Sequence, residues 1–147
     1  MVAHQPGFLL DTNVVSELVK LRPSRRVATW IESVPESILY LSAITIGEIR
    51  KGIDLLDEGD PRRAALQVWL DRDVRLRFGD RLLQFDDTVA ERWGQLEALA
   101  KRRRLTVPTV DAQLAATALH YGLTFVTRNV ADVTGIGVPV FNPWRDS

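Results

Sequence analysis

Three acidic residues stand where a carboxylate is expensive to place. Asp11 ends the apolar run Phe8-Leu9-Leu10 in FLLDTNVVSEL, and Val14, Val15 and Leu18 after it have the i, i+1, i+4 spacing of a helix face. An acid there serves equally as a helix N-cap or as a functional group. Glu48 lies in TIGEIRKG. On a wheel of about 100° per residue Ile46, Ile49, Ile53 and Leu56 share one face, and Glu48 falls inside that apolar arc beside Gly52. The bland alternative is a capping box, with Glu48 reaching back to the Thr45 amide. Asp111 is the only acid in TVPTVDAQLAATALHYG, a helix apolar or Ala on nearly every side and therefore buried. A first-turn acid after a Thr109 N-cap would gain about 0.3–1 kcal/mol from the helix dipole, little against the cost of hiding a carboxylate. Asn129 and Asp132 follow the run Phe125-Val126-Thr127, as a further site pair or as an N-cap with an acid at the third helical position.

Carboxylates at several strand ends and helix starts can converge on one cleft. At about 4 Å and an effective dielectric of about 20, each like-charged pair costs about 4 kcal/mol. Such an arrangement calls for protonation or a cation, and all-oxygen ligands suit Mg²⁺ or Mn²⁺. Zinc is disfavoured: the histidines are His4, near the start of the chain, and His120, near a helix end, and they form no zinc-type pair. With no cysteine, thiolate nucleophiles and thiolate metal sites are excluded. No Gly-x-Gly-x-x-Gly or phosphate-binding loop follows the first strand, and no Gly-x-Ser-x-Gly elbow occurs. Paired carboxylates with Mg²⁺ point to phosphoryl or phosphodiester chemistry.

The elements that must carry these groups alternate in type. Strands are predicted at Phe8–Leu10, Ile38–Leu41, Leu82–Phe85, Phe125–Thr127 and Val138–Phe141. Helices are predicted at Thr12–Leu21, from Pro23 onward, and over Thr45–Leu56, Pro61–Arg77, Asp87–Arg103 and Val110–Tyr121, the last closed by Gly122 as a C′ residue. This alternation implies an α/β sandwich around a mainly parallel sheet, with ligands beyond the carboxyl ends of the strands. The 147 residues read as a single domain, 1–147.

Lys and Arg number 19 against 19 Asp and Glu, a balance that argues against a dedicated high-affinity nucleic-acid binder. Local basic clusters occur at Arg22/Arg25/Arg26, Arg50-Lys51, Arg62-Arg63 and Lys101–Arg104, as solvated helix faces or as contacts to phosphate or an acidic partner. No apolar run approaches the roughly 18 residues of a membrane span, and the start MVAHQPG lacks the features of a signal peptide, so a cytoplasmic location is expected. Trp30, Trp69, Trp93 and Trp144 are expected in the core.

FLLDTNVVSEL, TIGEIRKG, TVDAQLAATAL and FVTRNVADV, in this order and spacing, resemble a PIN domain, and more narrowly the VapC-type ribonuclease toxins of toxin–antitoxin pairs. The closing VFNPW resembles the FitB-like branch. The resemblance implies a three-layer PIN-like α/β sandwich and a Mg²⁺- or Mn²⁺-dependent endoribonuclease. It also implies a homodimer, held inactive by a cognate VapB-like antitoxin. Carried over by motif, Asp11, Glu48 and Asp111 are the catalytic, metal-holding acids. Many relatives carry Asp where this chain has Asn129, and Asp132 is the nearby acid. Thr12, Asn13, Thr127 and Arg128 match supporting positions that orient carboxylates or contact phosphate.

Three rival readings fit the residues less well. A haloacid-dehalogenase-type phosphatase needs a second Asp where Asn13 stands, and a receiver domain needs an acidic pair after the first strand. A non-catalytic binding protein with a decayed site is the alternative of another class, and Asn129 lends it weight.

Overall fold

A computed structural model describes residues 7–147. Short apolar runs form the five strands β1 (Gly7–Leu10), β2 (Leu39–Ser42), β3 (Leu82–Leu83), β4 (Leu123–Val126) and β5 (Val140–Phe141). They pair in the order β3-β2-β1-β4-β5, every pair parallel, with Phe8 opposite Leu39 and Leu10 opposite Val126. Parallel strands are covered on both faces, so their residues can be apolar on both sides. On one face Leu10, Leu39, Leu41 and Val126 pack against α1 (Thr12–Glu17), α2 (Arg25–Ser33), α3 (Ala43–Asp54) and the helical run that follows. On the other, Leu9, Leu123 and Phe125 pack against α6 (Asp87–Arg102) and α7 (Thr109–Tyr121). Burial of a side chain such as Leu9 or Phe125, both fully shielded, contributes about 1.5–3 kcal/mol. The result is the expected three-layer sandwich. Its chain leaves β1 toward β2 and β3, then returns to place β4 on β1's other side, so the topological switch point lies between β1 and β4.

Several boundaries differ from the sequence expectation. Helix α1 stops at Glu17, and α2 starts at Arg25 and not at Pro23, because Ser24 supplies the cap by accepting the Val27 amide. The expected helix Pro61–Arg77 is α4 (Pro61–Val68), a π-helical turn at Trp69–Val74, then α5 (Arg75–Phe78). Helix α3 begins two residues early: Ser42 ends β2 and its hydroxyl caps the Ile44 amide at 3.0 Å. Thr45 is therefore interior to the helix, and the Thr45–Glu48 capping box does not form. Thr109 is likewise helical, following Pro108, which caps with no side chain. Gly122 does close α7, in the left-handed conformation at φ 66°. Trp30, Trp69 and Trp144 pack on the first core cluster and Trp93 on the second, all partly buried. Among the described residues no helix is long and apolar enough to cross a membrane.

Candidate active site

Strand β1 delivers Asp11 to the switch point. The Asp11 amide donates to the Val126 carbonyl at 2.9 Å, which extends the β1–β4 pairing by one residue. Its side chain, 5% exposed, serves both readings at once. Oδ1 caps α1 by accepting the Thr12 amide at 2.7 Å. Oδ2 accepts the Thr127 hydroxyl at 2.7 Å and the Asn13 amide nitrogen at 3.3 Å. Thr127 is buried at the matching end of β4, and its hydroxyl also accepts the Asn129 backbone amide at 3.0 Å. One hydroxyl thus ties the acid to the loop that follows β4. The Thr12 hydroxyl, on the next residue along, is buried and has no partner.

The other acids bear on this one electrostatically. Burial pushes the Asp11 carboxyl up, the bonds from Thr127 and Thr12 pull it back, and the Glu48 charge pushes it up again. Asp111, in the first turn of α7, is pushed up to about 6, first by desolvation and then by the charges of Asp11, Asp132 and Glu48. The structure therefore places Asp11, just past β1, Glu48 on α3 and Asp132 in the 3₁₀ turn Val130–Val133 within the field of Asp111 on α7. Neighbouring carboxylates repel, and the two that shift go in the direction that costs charge. Among the described residues no group of three or more His, Asp or Glu side chains stands close enough together to hold a metal ion. The donor set still fits a hard divalent cation. Its groups are all oxygens, its charge is uncompensated, and the orphaned Thr12 hydroxyl offers one more polar atom.

The remaining predicted residues separate. Asn129 precedes the 3₁₀ turn but makes no side-chain cap; its backbone, exposed at the β4 end, is what Thr127 holds. Asn13 bonds Asp11 and makes a long 3.5 Å contact to the Arg128 amide. Arg128 is exposed, with its guanidinium 5.1 Å from the Trp144 ring centroid. His120 stacks edge-on against Tyr121 at the end of α7, and His4 lies outside the described residues. The basic clusters are largely structural clasps. Arg26 donates to the carbonyls of Arg145 and Ser147, Arg50 pairs with Asp71, Arg63 donates to Leu56, and Arg103 donates to Gly135.

Glu17 and Asn142 are two further buried polar residues that no sequence pattern marks as site groups. Glu17 is 6% exposed, accepts the Ser24 amide at 2.9 Å and pairs with Lys20 at 2.6 Å; the Lys20 hydrogen bond foremost holds its carboxyl below the usual range. Asn142, 4% exposed, donates to the Arg128 carbonyl at 3.4 Å. Its one sequence signal is the Asn-Pro pair, which favours a turn just past a strand.

A family model described as PIN domain matches residues 8–131. This chain belongs to the PIN-domain family. Toxin FitB of Neisseria gonorrhoeae is 38% identical to this PIN domain over 139 residues, 95% of this chain and 99% of the relative. The VapC ribonuclease Y4jK of Sinorhizobium fredii is 37% identical over 138 residues, 94% of this chain and 98% of the relative. The solved structure of FitAcB from N. gonorrhoeae superposes with a TM-score of 0.87 at 38% identity, covering 94% of this chain and 99% of that one. The acid at the end of β1 and the acidic first turn of α7 lie inside the matched span.

Proposed function

We propose that this PIN domain is the toxin of a toxin–antitoxin pair and an endoribonuclease that hydrolyses RNA phosphodiester bonds at the strand-end acids. The observation that carries the reading is the convergence of Asp11, Glu48, Asp111 and Asp132 on the switch point, where three other carboxylates act on Asp111. Relatives of matching length named as a toxin and as a ribonuclease support it. An inhibitory antitoxin of the VapB kind is the protein partner that reading requires.

Asp11, Glu48 and Asp111 are the residues to hold a Mg²⁺ or Mn²⁺ ion, and Asp132 is the fourth acid within reach of their field. When bound, such an ion polarises a phosphodiester oxygen and makes a water acidic enough to attack. The protein's own part is positioning. Thr127 and Asn13 fix the Asp11 carboxylate through Oδ2, which leaves Oδ1, bonded to the Thr12 amide alone, with acceptor capacity to spare. The rigid start of α7 presents Asp111 from the opposite layer. Arg128 supplies a positive group to RNA on the loop that Thr127 anchors.

Cleavage of RNA by the purified protein in Mg²⁺ or Mn²⁺, against EDTA, tests the assignment. Asp11→Asn and Asp111→Asn are each expected to lose at least about 100-fold in rate; Asp111→Asn should keep or raise the unfolding temperature because it removes a repelled charge, whereas Asp11→Asn should lower it because its new NH2 meets a donor. Full cleavage by either folded variant would overturn it. The binding-protein reading draws on Asn129 alone. It predicts no Mg²⁺ heat in calorimetry, whereas Asp132 as a fourth acid predicts measurable binding.

A further inference from the structure

Arg128 is held at its side chain and at its backbone by groups that the hydrolytic chemistry does not use. Trp144 presents its ring to the guanidinium at 5.1 Å. Asn142 donates to the Arg128 carbonyl at 3.4 Å, and its own Oδ1 accepts the Trp144 amide at 2.9 Å. Asp146 closes this turn by accepting the Asn142 amide at 2.9 Å. The buried Glu17 carboxylate lies within the field of the Arg128 charge. The turn is itself fixed to the sheet, because β5 pairs Phe141 with Val126 and the Thr127 amide donates to the Phe141 carbonyl at 3.0 Å. Phe141 stacks on Trp30 with ring centroids 5.0 Å apart. The segment Phe141–Trp144 and the loop Thr127–Asn129 are therefore one rigid unit, and Asp11 is bonded to its centre.

A long exposed arginine ordinarily samples many rotamers, and an anion that binds it must pay to order it. Arg128 has part of that ordering done in advance by the flat face of Trp144. Its guanidinium remains exposed for a planar, bidentate anion. We infer that Asn142 and Trp144 are positioning residues that hold Arg128 as a preformed contact for a backbone phosphate of the RNA. This deepens the ribonuclease reading and rests on it.

The test measures KM and kcat for RNA cleavage, together with binding of a labelled mixed-sequence single-stranded RNA in EDTA across a salt series. Trp144→Phe keeps an aromatic face, whereas Trp144→Leu fills space without one. Arg128→Ala is expected to raise KM roughly 3- to 10-fold with kcat within about twofold, and to reduce the salt slope by about 0.7, one phosphate on a single strand. Trp144→Leu is expected to raise KM in the same direction, Trp144→Phe to restore most of it, and Trp144→Leu to add nothing in an Arg128→Ala background. A Leu variant that folds and binds RNA like wild type overturns the inference, as does an equal loss in the Leu and Phe variants, which marks Trp144 as space-filling. A loss confined to antitoxin affinity, with RNA unaffected, also overturns it. Wild-type protein that cleaves no RNA sinks the ribonuclease reading itself, a failure visible before any variant is made.

Discussion

The side chain on which most of the site's geometry depends is neutral. Thr127 is buried with a single hydroxyl that donates to Asp11 and accepts from the Asn129 amide. Thr127→Val keeps the shape and removes both bonds, leaving a buried carboxylate oxygen and an amide short of a partner. The expected cost is about 1–3 kcal/mol in urea unfolding, because the buried Asp11 carboxylate loses a partner without being removed. Cleavage should fall as well, through misorientation of Asp11, while Thr127→Ser should recover both quantities. A Val variant as stable and as active as wild type would show that the hydroxyl orients nothing. From sequence Thr127 could be named only by its family position. A threonine at a strand end has no distinguishing pattern of its own, and its importance comes from a partner 116 positions away.

Elements show where local pattern suffices and where packing overrides it. Helix α7 was legible almost to the residue, since a long Ala-rich run ending on glycine admits little else. Strands β1 and β4 were legible as apolar runs, and the acid stop at Asp11 marked the right edge of the sheet. The start of α3 was not. Thr45 and Glu48 satisfy the capping-box pattern, but the parallel pairing of β2 carries the chain straight to Ser42, whose buried hydroxyl caps first. Glu48 then has no capping duty, which leaves its charge to act on Asp11 and Asp111. The π turn at Trp69–Val74 was also invisible, because it buries Leu70 and Val74 against a core no local pattern specifies. Ser42→Ala should cost about 1 kcal/mol by loss of the cap. Its second effect is a weaker affinity for Mg²⁺, read by calorimetry, as the first turn of α3 frays and Glu48 is less firmly placed. Unchanged stability and unchanged Mg²⁺ affinity would place the start of α3 elsewhere.

For the whole molecule, the acid cluster opposes folding in one range of pH and rewards a cation in the same range. Asp111 titrates near 6 in the folded chain against an ordinary 3.8, and Asp11 is raised too. The folded state therefore holds the Asp111 proton more tightly than the unfolded state. By linkage, the Asp111 contribution to stability falls as pH rises from about 4 to about 6 and stays low above that. Glu17 and Glu36 work in the opposite sense. Both are lowered, Glu17 chiefly by Lys20 and Glu36 chiefly by Arg77, and the stability they add is lost as pH falls through their lowered values. A single pH profile mixes the two effects, whereas the difference between wild type and Asp111→Asn isolates the first. In EDTA the variant should match wild type near pH 4 and melt at a higher temperature at pH 7.5. Mg²⁺ should raise the wild-type melting temperature at pH 7.5 and do so far less at pH 5, because a ligand that binds only the folded state stabilises it and a protonated carboxyl binds poorly. Differential scanning fluorimetry at the two pH values, with Mg²⁺ or EDTA, reads all four conditions. Parallel profiles for wild type and variant in EDTA, or an equal Mg²⁺ effect at both pH values, would mean that the four acids do not share one field.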